Sequence, residues 1–275
     1  MKLNALFAQP DALPVIPRVM QELIASFNDE AVAAGTIAQH ISSDQVVSAK
    51  LLQLANSPYY QVSKTVATVP DAVAMLGFVN IRTLVISIGL KGSFKPIPGL
   101  DSRQFWRHSV HTAVASRHLA RALGLDADLA FTVGLMHAIG QLVMHLAMPE
   151  AMLKIDQRVP TLDPRRLTEE HEIFGYSHLD VGAELACRWR FPDVFSSAIT
   201  DLADPLAQAC VDPLPAVIHV AAWRSRAEEN RMSVSDMEGS WPAGVAARIA
   251  MPVALVLQDF PSWDVLSEGM QALMS

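Results

Sequence analysis

Apolar residues recur at helical rather than alternating spacing along almost the whole chain. After Leu13-Pro14 and Pro17, the positions Ile16, Val19, Met20, Leu23, Ile24 and Phe27 form a stripe at i, i+3, i+4 spacing, which Asn28-Asp29 closes. Ser42, Ser43 and Asp44 offer N-caps for a helix that carries Val46, Val47, Leu51, Leu52, Leu54 and Ala55 and stops at Asn56-Ser57-Pro58. Pro70 suits the first turn of a helix over 72–76 with Gly77 at its C-terminal end, and the apolar run 81–90 predicts a buried helix. Residues 91–99 hold two glycines and two prolines, a composition that cannot continue a helix, so the chain divides there. Further helices are predicted near 102–123, 127–147, 152–157, 179–189, 194–203 and 214–228. The polar stretch 229–242 reads as an exposed loop, and 243–274 as a helical region interrupted at Pro252 and Pro261. With no strand pattern and no repeat, the expected fold is all-α and two-lobed. An N-terminal helical lobe spans 1–92, a connector 93–101, and a second helical lobe with a C-terminal extension 102–275.

Composition narrows the class. A chain of 275 residues that is 51% hydrophobic can bury a core and is not disordered. The formal net charge of −7 leaves no broad basic field for nucleic acid, and Arg165-Arg166 and Arg224-Ser225-Arg226 read as solvated helix faces. The longest apolar stretch, 134–148, carries His137, Gln141 and His145 and is too short and polar for a membrane span. No secretory signal opens the sequence, so a cytoplasmic location without membrane contact is expected. Cys187 and Cys210 lack metal-like spacing and are expected to be buried, reduced thiols. There is no glycine-rich phosphate loop, no Gly-x-Ser-x-Gly elbow and no zinc-spaced Cys/His set.

Candidate chemistry centres on Met136-His137-Ala138-Ile139-Gly140. A metal-dependent phosphohydrolase needs carboxylates beside imidazoles to hold its ions, and an adjacent His-Asp pair supplies both. Here the second position is Ala138, whose methyl group coordinates nothing. Taken locally, His137 is either the remnant of such a site or a polar residue in an apolar helix.

Two sets of residues carry a family resemblance. The C-terminal set is His108, Gly134 to Gly140, Phe174-Gly175-Tyr176-Ser177-His178 to Leu185, Trp189, and Phe191-Pro192. Its order is similar to an HD-superfamily helical domain. The N-terminal set is Leu13, Pro14, Pro17, Asp44, Asn56, Ser57, Pro58, Tyr60 and Gly77. Together they resemble the HDOD family, the HD-related output domains of bacterial signalling proteins, over about residues 10–228.

The resemblance implies an HD-like second lobe with a degenerate metal site. His108 and His137 match the first two histidine ligands of the HD pattern, Ala138 stands at its aspartate, and Ala222 at the later aspartate. His178 matches a further family position, whereas Ile199-Thr200-Asp201 lacks the paired histidines of the metal-dependent relatives. No catalytic residue, metal or cofactor is therefore expected. The implied function is a noncatalytic signalling module that binds other signalling proteins in trans and holds a small ligand in a vestigial pocket of His108, His137, Ala138, His178 and Ala222. The alternative is a residual metal-dependent phosphohydrolase of nucleotides or cyclic nucleotides that uses His108, His137 and acids such as Asp180 or Asp201. Two further histidine groupings stay open, one of His108, His111 and His118 sharing a helix face, the other of His171 beside Glu172.

Overall fold

Local capping signals set the N-terminal helices. The computed structural model describes residues 2–9, 14–26, 34–57, 60, 65–268 and 270–274, so Leu13, Phe27, Asn28, Asp29, Pro58 and Tyr59 lie outside the described residues. Among those described, every regular element is a helix, as the all-α expectation requires. The first part comprises α1 (Leu3–Leu6), α2 (Arg18–Ala25), α3 (Ala34–Ser43), α4 (Gln45–Ala55), α5 (Val69–Leu76) and α6 (Phe78–Ser93). Pro17 caps α2, whose buried Val19, Met20, Leu23 and Ile24 face inward. Asp44 turns α3 into α4, its Oδ1 accepting from the Val46 and Val47 amides at 3.0 Å each. Val46 itself is 64% exposed and not part of the buried stripe. Thr68 caps α5, Pro70 sits in its first turn, and Gly77 at φ +79° makes the reversal into α6. Helix α6 runs through Gly92 to Ser93, so that glycine does not stop it.

The second part comprises α7 (Ser102–Ala122), α8 (Ala127–Met136), α9 (Ile139–Ala147), α10 (Pro149–Arg158), α11 (Arg166–Phe174), α12 (His178–Arg188), α13 (Asp193–Asp201) and α14 (Pro213–Glu229). It ends with α15 (Val234–Ser240), α16 (Ala243–Arg248), α17 (Val253–Leu257), α18 (Trp263–Leu266) and α19 (Gln271–Met274). Helix α7 is the axis, buried almost continuously from Phe105 to Ala120 and packed between α8 and α14. Helices α18 and α19 return onto α7, and α6 packs on α8. One buried apolar cluster runs without a break from Leu6 to Leu273.

Three local readings are corrected. The expected helix 127–147 is broken at His137-Ala138, where the His137 imidazole takes the Gly134 carbonyl at 2.7 Å and competes with the helical ladder for it. By length and composition Ala127–Ala147 passes as a membrane span, yet 89% of its apolar window is buried inside the protein, as a core helix is. The expected loop 229–242 contains α15, started by a capping box in which Ser233 and Asp236 each bond the other's backbone amide. Cys187 and Cys210 are free thiols but exposed, because each lies on a solvent-facing stretch.

Candidate functional site

The five residues named for the vestigial pocket converge on one cavity of about 410 Å³. His108 comes from α7, His137 and Ala138 from the α8–α9 turn, His178 from the start of α12 and Ala222 from α14. A hollow of about 750 Å³ along α10 is larger, but it is an open groove lined by Met148, Lys154 and Ile173 and holds none of these histidines. The N-terminal motif residues that the structure describes lie elsewhere and act on structure. Asp44 caps α4, Gly77 turns the chain, Ser57 is buried, and Tyr60 is partly buried against the core. Asn56 pairs in both directions with Val66, giving its Nδ2 to the Val66 carbonyl at 2.8 Å and accepting the Val66 amide at 2.7 Å. Pro14 and Pro17 lead into α2.

The hydrogen bonds fix the proton on His137 and link that on His108 to the direction in which Ser225 donates. A carbonyl only accepts, so His137 Nδ1–H donates to Gly134 and leaves Nε2 as a lone pair. That lone pair sits 3.3 Å from His108 Nε2, and His108 Nδ1 lies 2.8 Å from the Ser225 hydroxyl. When Ser225 donates to His108 Nδ1, His108 Nε2–H donates to His137 and the chain is complete. When Ser225 turns to the His108 carbonyl, 3.1 Å away, it accepts from His108 Nδ1–H and both Nε2 atoms carry lone pairs. Burial strips both rings of water, which takes His137 down to about 3 and His108 well below its ordinary value, so both are neutral imidazoles.

A buried ion network orients the third histidine. Glu170 is fully buried and accepts from Arg166 Nε, the His178 amide and His178 Nδ1, each at 2.7 Å. Burial alone would raise the Glu170 pKa, but the charge of His178, with hydrogen bonds from His178 and Arg166, holds it at about 2. Arg166 gives its Nη1 to Asp156 at 2.6 Å and to the Val159 carbonyl at 2.7 Å, and Asp156 also meets His145 Nε2 at 2.9 Å. With Nδ1 committed to Glu170, His178 has its Nε2 available at a ring that lines the cavity. Close backbone packing fixes the position of His178. Helix α9 crosses α12 so tightly that a Cβ on Gly140 would lie 1.9 Å from the His178 carbonyl oxygen.

The reading of the paired arginines as solvated faces is overturned. Arg165 is exposed, but Arg166 is buried at 1%. Arg224 lies over the rings of Phe260 and Trp263, Ser225 bonds His108, and Arg226 lines the cavity. Sequence reasoning missed Arg166, Glu170, Ser225 and Arg226 as site residues; the Arg166/Glu170 spacing of four was the one local signal. The other histidine groupings do not form a site. His111 stacks on Trp263, His118 meets the Phe260 ring edge-on, and His171 and Glu172 are both exposed. Asp180 closes a capping box with Ser177, and with Asp201 it lines a separate surface hollow rather than the histidine cavity.

The donor set can be tested against a catalytic metal. Two imidazole nitrogens 3.3 Å apart match neighbouring ligands on a tetrahedral ion with bonds of about 2.0–2.1 Å. Ala138 and Ala222 line the same cavity with methyl groups, which coordinate nothing. Among the described residues no group of three or more His, Cys, Asp or Glu is placed to hold an ion. The residues present therefore do not fit a hydrolytic metal centre.

Comparison with known proteins gives a family and a fold. Residues 13–205 match the HDOD domain, a span that ends before α14. A crystal structure from Shewanella amazonensis SB2B, provisionally named a phosphohydrolase, is 27% identical with a TM-score of 0.80 and 98% of each chain covered. An HDOD domain protein of unknown function from Geobacter sulfurreducens has a TM-score of 0.73 at 23% identity, covering 98% of this chain and 92% of that one. An uncharacterized protein of Treponema pallidum (strain Nichols) is 28% identical over 187 residues, which is 66% of this chain and 36% of that protein. The chain thus matches about a third of that relative's length.

Proposed function

The chain belongs to the HDOD family, and from that premise we propose that it is a noncatalytic signal-transduction module. It works in the cytoplasm, binds other signalling proteins in trans, and holds a small ligand in the histidine cavity. The observation that carries this reading is the cavity wall, where Ala138 and Ala222 stand beside His108 and His137. A hydrolytic site needs three or four protein ligands and a bound water of lowered pKa, and imidazoles facing methyl groups do not supply them. The cavity is instead suited to binding. Its walls come from α7, the α8–α9 turn, α12 and α14, so a ligand there contacts helices that are far apart in sequence and biases how they pack. The net charge of −7 favours protein partners over nucleic acid.

Metal analysis and hydrolysis assays test the proposal. Purified protein given Mn²⁺, Fe²⁺, Mg²⁺ or Zn²⁺ is expected to retain no stoichiometric ion and to release nothing from a chromogenic phosphodiester, nucleotides or cyclic nucleotides. A retained pair of ions with turnover would instead establish a residual metal-dependent phosphohydrolase, the reading that the 3.3 Å approach of the two Nε2 atoms favours.

A further inference from the structure

The histidine cavity contains one cation without a counterion. Arg226, on α14, lines the cavity, and its side chain forms no hydrogen bond or ion pair among the described residues. Part of its surface opens into the cavity, while the surrounding protein strips water from the rest and lowers its pKa. The acid whose charge reaches it is Asp163, which is already engaged. Asp163 Oδ1 accepts from the Arg165 amide at 2.9 Å and from Arg165 Nε at 3.0 Å, and Oδ2 accepts from Arg165 Nη2 at 2.7 Å.

The other charges at the cavity are balanced. Arg166 is matched by Glu170 and Asp156. His108, His137 and His219 have lowered pKa values, desolvation being the first cause, so each is a neutral ring. All three line the cavity together with Arg226, whose charge adds to the lowering at each. A partly dehydrated guanidinium is costly unless an anion faces it, and its planar fork matches carboxylate or phosphate oxygens two at a time. Asn230, one helical turn beyond Arg226, also lines the cavity and adds a neutral polar contact.

We propose that Arg226 anchors the oxyanion, carboxylate or phosphate, of a small ligand held in this cavity. The proposal rests on the reading of the cavity as a site that holds a small ligand. A volume of about 410 Å³ accommodates a metabolite of nucleotide or dicarboxylate size.

The test uses the whole protein with inorganic phosphate, adenosine monophosphate and succinate as probes, read by calorimetry and thermal midpoint in low-chloride buffer. At least one probe is expected to bind wild type and raise its midpoint. Arg226→Met should weaken that probe by roughly tenfold or more, while Arg103→Met, at an exposed arginine of α7 outside the cavity, should bind as wild type does. Binding of phosphate and adenosine monophosphate without succinate assigns a phosphate ligand, and the reverse pattern assigns a carboxylate. Without any probe, Arg226→Met should melt no lower than wild type, because it removes an uncompensated charge. Should that variant fail to fold, Arg226→Gln decides by the same measurement.

No binding of any probe by wild type overturns the proposal. So does unchanged affinity in the folded Arg226 variant, or an equal loss in Arg103→Met. Phosphate release from adenosine monophosphate is followed in the same samples with Mn²⁺. Release would sink the noncatalytic reading and leave the Arg226 anchor standing; absence of both binding and release would sink the anchor alone.

Discussion

Replacing Gly140 by alanine adds one methyl group where two helix backbones touch. That Cβ would lie 1.9 Å from the His178 carbonyl oxygen, 2.7 Å from the Gly182 amide nitrogen and 2.9 Å from the His178 carbonyl carbon. All three obstacles are backbone, so no side-chain rotation relieves them, and α9 and α12 must move apart by roughly 1 Å. Overpacking in a core costs about 1–3 kcal/mol, and a rigid backbone obstacle places this case at the upper end. Alanine's helix preference offsets at most about 1 kcal/mol of that. A net loss of about 2 kcal/mol is expected, read as a lower midpoint in urea at unchanged m-value. The displacement also moves the His178 amide away from Glu170, which it now meets at 2.7 Å. Gly92→Ala is the internal control. Gly92 is exposed in α6 with nothing within 4 Å of its would-be Cβ, so that variant should gain about 0.5 kcal/mol. A Gly140→Ala protein as stable as wild type would refute the backbone-contact argument, because the close crossing would then be absent in solution.

Three more outcomes follow from the same contacts. Glu170 sits at about 2 against an ordinary 4.5, so its contribution is complete above the unfolded value and lost as pH falls from 4.5 towards 2. Glu170→Gln should therefore be less stable at neutral pH and show a shallower acid limb in thermal midpoint, and parallel acid limbs in the two proteins would contradict this. Asn56→Ala should cost about 1 kcal/mol and speed hydrogen exchange at the Val66 amide, whose partner is the Asn56 side chain; unchanged exchange there would mean that the tether does not form. The double variant Ala138→Asp, Ala222→Asp should bind Mn²⁺ more tightly than wild type and be less stable without it, since it buries two carboxylates. A folded double variant with wild-type Mn²⁺ affinity would show that the two methyl groups do not face the imidazoles.

What was legible from sequence had local causes. Helical periodicity marked α2 and α4, and Asp44 caps α4 because a carboxylate two and three residues ahead of free amides reaches them in any context. Pro70 and Gly77 likewise bound α5 through their own backbone preferences. The pairing of His108 with His137 and the methyl groups at Ala138 and Ala222 could be placed because an ordered motif records a spatial arrangement that spacing alone does not.

The rest depended on partners distant in the chain. Arg166 resembles Arg165 in sequence, and only the carboxylates of Asp156 and Glu170, arriving from α10 and from its own next turn, allow Arg166 to be buried while Arg165 remains in solvent. The break at His137-Ala138 depends on a side chain competing for a carbonyl, and the fixed position of His178 on a glycine in another helix. Arg226 differs from an ordinary surface arginine in one respect, that α14 places it in the wall of a cavity it shares with His108, His137 and His219, while Asp163, whose charge reaches it, is already bound to Arg165. Amino-acid order thus determined the helices and their caps, through interactions a few residues long. Charge burial and the shape of the cavity were decided by tertiary packing, because the energy of a buried charge depends on which groups surround it.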